Sequence, residues 1–101
     1  MGTLRYHNEE FTFEDRVLAH LQVVISTKLR RSENFFLAWN VPAGSGSGRH
    51  ALWIDNAIPL HITFSGSRPP QLNREWIESL MVSSVTGGIR LSEEPQADSA
   101  E

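Results

Sequence analysis

The chain has 101 residues, 40% of them hydrophobic and 21% charged, with three tryptophans, a balance found in single globular domains and not in disordered or fibrous chains. The lack of cysteine excludes disulfides, thiolate metal sites and cysteine nucleophiles together. The formal net charge is −3, but four of the twelve acids (Glu93, Glu94, Asp98, Glu101) follow Leu91 and no base does, so residues 1–92 carry nine bases against eight acids and local clustering decides any contact with a polyanion.

No apolar run approaches the ~18 residues of a membrane-spanning helix, and the start MGTLRY carries neither a basic nor an apolar leader segment, so the expected location is the cytoplasm, without membrane association. Thr3–Tyr6 and Phe11–Phe13 alternate apolar and polar residues around His7-Asn8-Glu9-Glu10, which predicts a hairpin. Asp15 stands as N-cap of a helix with Val17, Leu18, Leu21, Val24, Ile25 and Leu29 on one face, and Lys28, Arg30 and Arg31 crowd its last turn, where positive charge is favoured. Phe35–Val41 reads as an aromatic strand, and the Gly/Ser-rich stretch 42–48 as a flexible loop. His50–Ile54 and Leu60–Phe64 read as two further strands, expected to pair with each other across Asp55-Asn56-Ala57. After the proline-stiffened loop 65–70, Asn73 is placed to cap a second helix with Trp76, Ile77, Leu80 and Met81 on one stripe, and Leu72 to pack back on Ile77. Gly87-Gly88 ends it, and Ile89-Arg90-Leu91 is a last strand.

The order β-β-α-β-β-β-α-β predicts an α+β domain, a largely antiparallel sheet with two packed helices, over residues 1–92. Residues 93–101, acidic and poor in apolar side chains, are expected to form a disordered tail. If Trp53 faces His61 across the expected turn, Leu52, Ile54, Leu60, Ile62 and Phe64 share one sheet face, and Trp53, His61 and Thr63 the other, which Phe36 and Ala38 can join. Two helices on the first face leave that aromatic surface exposed as an interaction face; one helix on each face makes it core.

None of the four histidines, His7, His20, His50 and His61, has a metal-ligating spacing, so neither metal nor cofactor is expected. The Gly46-Ser47-Gly48 stretch is no nucleophile elbow, because it lies in a flexible repeat, and no phosphate loop, because the Gly-Lys-Ser/Thr ending is absent. Arg68, on the stiffened loop, and Arg74, in the first turn of the second helix where the macrodipole disfavours a cation, suggest an anion site at that helix end, with Arg30 and Arg31 as weaker candidates. Arg74 can instead pair with Glu78, one turn on.

The runs DRVLAHLQVVISTKLRR, IPLHITFSGSRPPQLNREWIESLM and GGIRL resemble a family of short, uncharacterised actinobacterial proteins that carry the label ATP-dependent DNA ligase, over roughly residues 2–92, close to a whole domain. The resemblance implies a nucleic-acid setting. Ligases of that class attach AMP to a lysine in a Lys-x-Asp-Gly context, whereas the single lysine here, Lys28, is followed by Leu29-Arg30-Arg31. Two functions are therefore expected: a non-catalytic domain that binds nucleic acid or a phosphorylated ligand through Arg68, Arg74, Arg30 and Arg31, or a protein-interaction or homodimerising module that uses Trp53, His61 and Phe36. Incubation with labelled ATP and Mg²⁺ should leave the chain unlabelled, as no adenylation motif is present; an AMP adduct on Lys28 would refute this.

Overall fold

The opening residues form the expected hairpin. Strands β1 (Gly2–Tyr6) and β2 (Glu9–Phe13) pair antiparallel from Gly2↔Phe13 to Tyr6↔Glu9. The turn is tighter than the sequence suggests: Glu9 and Glu10 belong to β2, and His7 takes the left-handed conformation (φ 58°) that the two-residue connection demands. The computed structural model describes residues 1–40, 48–83, 88–92 and 94–95. Val41 and the glycines of the expected loop up to Ser47 lie outside them, as do residues 84–87.

Helix α1 (Asp15–Arg30) buries Leu18, Leu21, Val24 and Ile25, the stripe read from the sequence. Its start differs: Glu14 occupies the cap position without a side-chain bond, and Asp15 is the first helical residue. The Asp15 carboxylate turns away to accept bonds from the Ser65 and Gly66 N–H groups (3.1 and 2.8 Å). At the other end, Ser32 adopts φ 59°, its N–H donates to the Leu29 carbonyl and the Glu33 N–H donates to the Lys28 carbonyl, a Schellman closure made without glycine.

Strand β3 (Phe35–Asn40) pairs antiparallel with β4 (Arg49–Ile54) and parallel with β6 (Gly88–Arg90), giving the order β4-β3-β6. Strand β5 (Leu60–Thr63) pairs with β1, giving a second sheet of order β2-β1-β5. The α+β class and the element order are as expected, but the strands divide between two sheets and β4 does not pair with β5. The reason lies in the link between them. The Asp55 N–H donates to the Tyr6 hydroxyl (2.7 Å), the Asn56 side chain donates to the Leu29 carbonyl, and the Asn56 N–H donates to Asn34 Oδ1. A turn held at the ends of β1, α1 and β3 sends the chain from one sheet to the other and leaves no room for a hairpin.

Helix α2 (Arg74–Ser83) buries Trp76 and Leu80. Both sheets and both helices supply one continuous core, in which Leu4, Leu18, Leu21, Leu37, Ile54, Leu80 and Ile89 are inaccessible to solvent. An aromatic cluster ties the sheets together: Phe11 and Phe13 of β2 meet Trp39 of β3 edge-on at 5.1 and 5.2 Å, and His50 stacks on Trp39 at 5.1 Å. Among the described residues no helix is long and apolar enough to cross a membrane.

Gly2 lies where β1, β5 and α1 converge. A Cβ there would overlap the Thr63 carbonyl oxygen and come within 2.7 Å of Leu18 Cδ1, and the backbone atom cannot move aside cheaply. Gly2→Ala is expected to destabilise the fold by about 1–3 kcal/mol, seen as a lower urea midpoint at unchanged slope; an unchanged midpoint would refute the close approach.

Candidate functional site

The residues singled out in the sequence do not gather in one place. Arg68 is exposed and borders a depression between α1 and the loop 66–72. Arg74, the first residue of α2, is exposed and is not part of that depression. Arg30 lies at the end of α1 beside Leu60 and Ile62, and Arg31 is the exposed C-cap. Among the described residues none of the four has an ion-pair partner, Glu78 included. His61 is exposed opposite Arg5 in the β2-β1-β5 sheet, away from Phe36 and Trp53 in the other, so the expected three-residue face is not assembled.

The start of α2 is already satisfied by the chain itself. Asn73 Oδ1 accepts from the N–H groups of Glu75 and Trp76 (3.0 and 3.3 Å), the cap read from the sequence. Asn73 Nδ2 donates to Glu94 Oε2 (2.8 Å), and Arg16 grips the same carboxylate with two bonds of 2.6 Å while donating a third to the Gln71 carbonyl. Behind them, buried His20 accepts the Asn73 N–H at Nε2 (2.7 Å), which places its proton on Nδ1, donating to the Arg16 carbonyl (2.7 Å). Close to this helix end the chain thus carries an anion of its own, Glu94, held by Arg16. Within the expected tail, Glu94 and the Pro95 carbonyl are held by Asn73, and Glu94 by Arg16 as well; residues 93 and 96–101 lie outside the described residues. Arg16 is a cation in a helix's first turn, the same signal that drew attention to Arg74; what sequence does not give is the distant carboxylate that answers it.

The outer face of the β4-β3-β6 sheet is a different kind of surface. Phe36 and Trp53 stand opposite each other in register, 45% and 46% exposed, with ring centroids 5.0 Å apart and planes at 67°. Gly88 completes their row, and a Cβ at Gly88 would press into the Phe36 backbone and side chain. The next row, ~7 Å along the strands, holds Ala51, Ala38 and Arg90; the one beyond holds Arg49 and Asn40. Arg49, Ala51, Ala38, Asn40 and Arg90 border a depression of about 280 Å³ whose lining also includes Trp39 and His50 at the strand ends. No acidic residue occurs in the three strands. The exposure of this face and the burial of Leu37, Ile54 and Ile89 on the reverse side put both helices on the reverse. The sequence alternation puts Phe36 and Trp53 on one face; Arg49 and Arg90 join that face only through the strand pairing.

Among the described residues no group of three His, Asp or Glu side chains can hold a metal ion. Lys28 is paired with Glu33 at 3.0 Å. The family described as domain of unknown function (DUF7882) matches residues 1–94. The chain belongs to that family. No curated protein and no solved structure matches it. The match ends at Glu94, the residue that Arg16 and Asn73 hold.

Arg16 and, next, Asn73 hold the Glu94 carboxyl down to about 2, from 4.5 when free; the backbone bonds from Gly66 and Ser65 lower that of Asp15. The folded state therefore binds the Glu94 proton more weakly than the unfolded chain does, so the contribution of Glu94 is complete above pH 4.5 and is lost as pH falls toward 2. Glu94→Gln is expected to lower the melting temperature at neutral pH and to flatten its acid dependence in that window; a variant that melts like the parent at every pH would refute the clamp.

Proposed function

We propose that this DUF7882 domain is a non-catalytic module that binds single-stranded nucleic acid on the outer face of the β4-β3-β6 sheet. One observation carries the reading: two exposed aromatic rings in register on an open sheet, beside rows flattened by alanine and glycine and flanked by Arg49 and Arg90 with no acid in the sheet. Bases stack on aromatic faces whatever their identity, and arginines a row or two away reach the phosphates. The resemblance to short actinobacterial proteins labelled ATP-dependent DNA ligase supports a nucleic-acid setting without requiring ligase chemistry. Arg68, Arg74, Arg30 and Arg31 lie outside this face and are not needed for it.

The same exposed rings also favour a second reading, in which two copies pair through this face. Fluorescence anisotropy with a labelled oligo-dT separates the two. Phe36→Ala with Trp53→Ala should weaken binding by about 1–3 kcal/mol per stacked base lost and leave the melting temperature nearly unchanged. Arg49→Ala and Arg90→Ala should each make the salt dependence shallower by about 0.7 per phosphate contact. Absence of salt-sensitive binding to single-stranded DNA and RNA, together with a dimer that Trp53→Ala dissociates, would overturn the first reading in favour of the second.

A further inference from the structure

A separate surface runs along α1 and the edge strand β5, on the other sheet. In antiparallel register Leu60 lies opposite Tyr6 and Ile62 opposite Leu4, so Leu60 and Ile62 share the face of the sheet that α1 covers. That face is only partly closed beyond β5. One depression of about 450 Å³ is lined by Ile25, Leu29, Leu60 and Ile62 with Arg30 at its end; another of about 360 Å³ is lined by Ala19, Val23, Phe64, Pro70 and Leu72 with Arg68 at its rim. Gln22 borders both, so the two depressions lie end to end as a trough along α1, from its last turn to the loop 66–72. Leu72 is 48% exposed there.

The strand beside this trough has an open edge. β5 is the last strand of its sheet, and among the described residues nothing is hydrogen-bonded to its outer side. An added strand would satisfy those backbone groups, and its alternate side chains would fall into the space over Leu60, Ile62 and Phe64. From Leu60 to Phe64 an extended chain spans about 13 Å, room for three alternate apolar side chains. Arg30 and Arg68, neither with an ion-pair partner among the described residues, flank the two ends and fix the charge of what fits.

We propose that the α1–β5 trough binds an extended peptide segment of a partner protein by strand addition to β5, with alternating apolar residues in the trough and acidic residues at both ends against Arg30 and Arg68. The site is independent of the nucleic-acid face, since it uses neither its strands nor its arginines.

The test uses the full chain and the capped peptide ETVTVTVTE, whose glutamates share the valine face, with KTVTVTVTK as its charge-reversed counterpart. Binding of ETVTVTVTE should shift the amide resonances of His61, Ile62 and Thr63, slow their hydrogen exchange and weaken as salt rises. KTVTVTVTK should bind about tenfold more weakly or worse, and Arg30→Glu with Arg68→Glu should reverse that preference while the melting temperature holds. N-methylation of one alternate set of peptide amides should abolish binding and of the other set should not, because a strand bonds its neighbour through every second residue. Equal binding by the two N-methylated peptides would overturn strand addition. Unmoved β5 resonances at millimolar peptide would overturn the site. A peptide-free chain that self-associates with protected β5 amides would assign the edge to a second copy and overturn the partner peptide. None of these readouts depends on oligo-dT binding, so failure here and failure of the nucleic-acid reading are distinguishable.

Discussion

The imidazole of His20 holds the helices in the arrangement on which the remaining structure depends. It is fully buried in α1, accepts the backbone N–H of Asn73 at one nitrogen and donates to the Arg16 carbonyl at the other, so both polar atoms are satisfied where leaving either bare would cost about 1–3 kcal/mol. The ring fixes the residue that caps α2 at a set distance from α1, and Trp76, three residues on, lies against it at 4.6 Å. Around that contact Arg16 draws in Glu94 from the far end of the chain. Four separate parts of the sequence, α1, the proline loop, the start of α2 and the segment after β6, are joined within a few hydrogen bonds.

Because this joint keeps α2 beside α1, both helices lie on the inner side of the sheets, and the surfaces left over follow from geometry. The β4-β3-β6 sheet gives its inner residues Phe35, Leu37, Ile54 and Ile89 to the core and leaves Phe36, Trp53 and Arg90 outside. The β2-β1-β5 sheet is covered by α1 over β1 and less completely over β5, where Leu60, Ile62 and Phe64 remain partly accessible. One surface is flat, aromatic and basic; the other is a trough with apolar walls and a basic residue at each end. Their chemistry differs enough that a single ligand does not suit both: a stack of bases needs open rings, whereas an extended peptide needs a strand edge and space for side chains.

Much of the local structure was legible in the sequence because it is encoded over a turn or two. The stripe from Leu18 to Ile25, the Asn73 cap, the alternation of Phe35 to Trp39 and the strand character of residues 50–54 and 60–63 depend on neighbours a few positions away, and the α+β class follows from their order. The errors arose where a local signal had a distant competitor. Asp15 has the chemistry of a cap, but Ser65 and Gly66 offer it two N–H groups in another loop. Two strands separated by a short turn usually pair; here Tyr6, Leu29 and Asn34 hold that turn open. Glu94 sits in an acidic run that looks solvated, and only its position against Arg16 makes it structural.

By itself, then, the sequence determined the elements, their order, the apolar sides of the helices and the presence of aromatic residues on alternate strand positions. Tertiary structure decided which strands became neighbours, and with that which surfaces the sheets leave exposed. Putting Gly88 beside Phe36 and Arg90 beside Ala38 required a parallel pairing between β3 and β6, and giving β5 a free edge required that it leave β4 for β1. Strand pairing bonds backbone groups that are alike in every residue but proline, so the choice of partner rests on the fit of side chains and turns across the whole core, information that no short stretch of sequence contains.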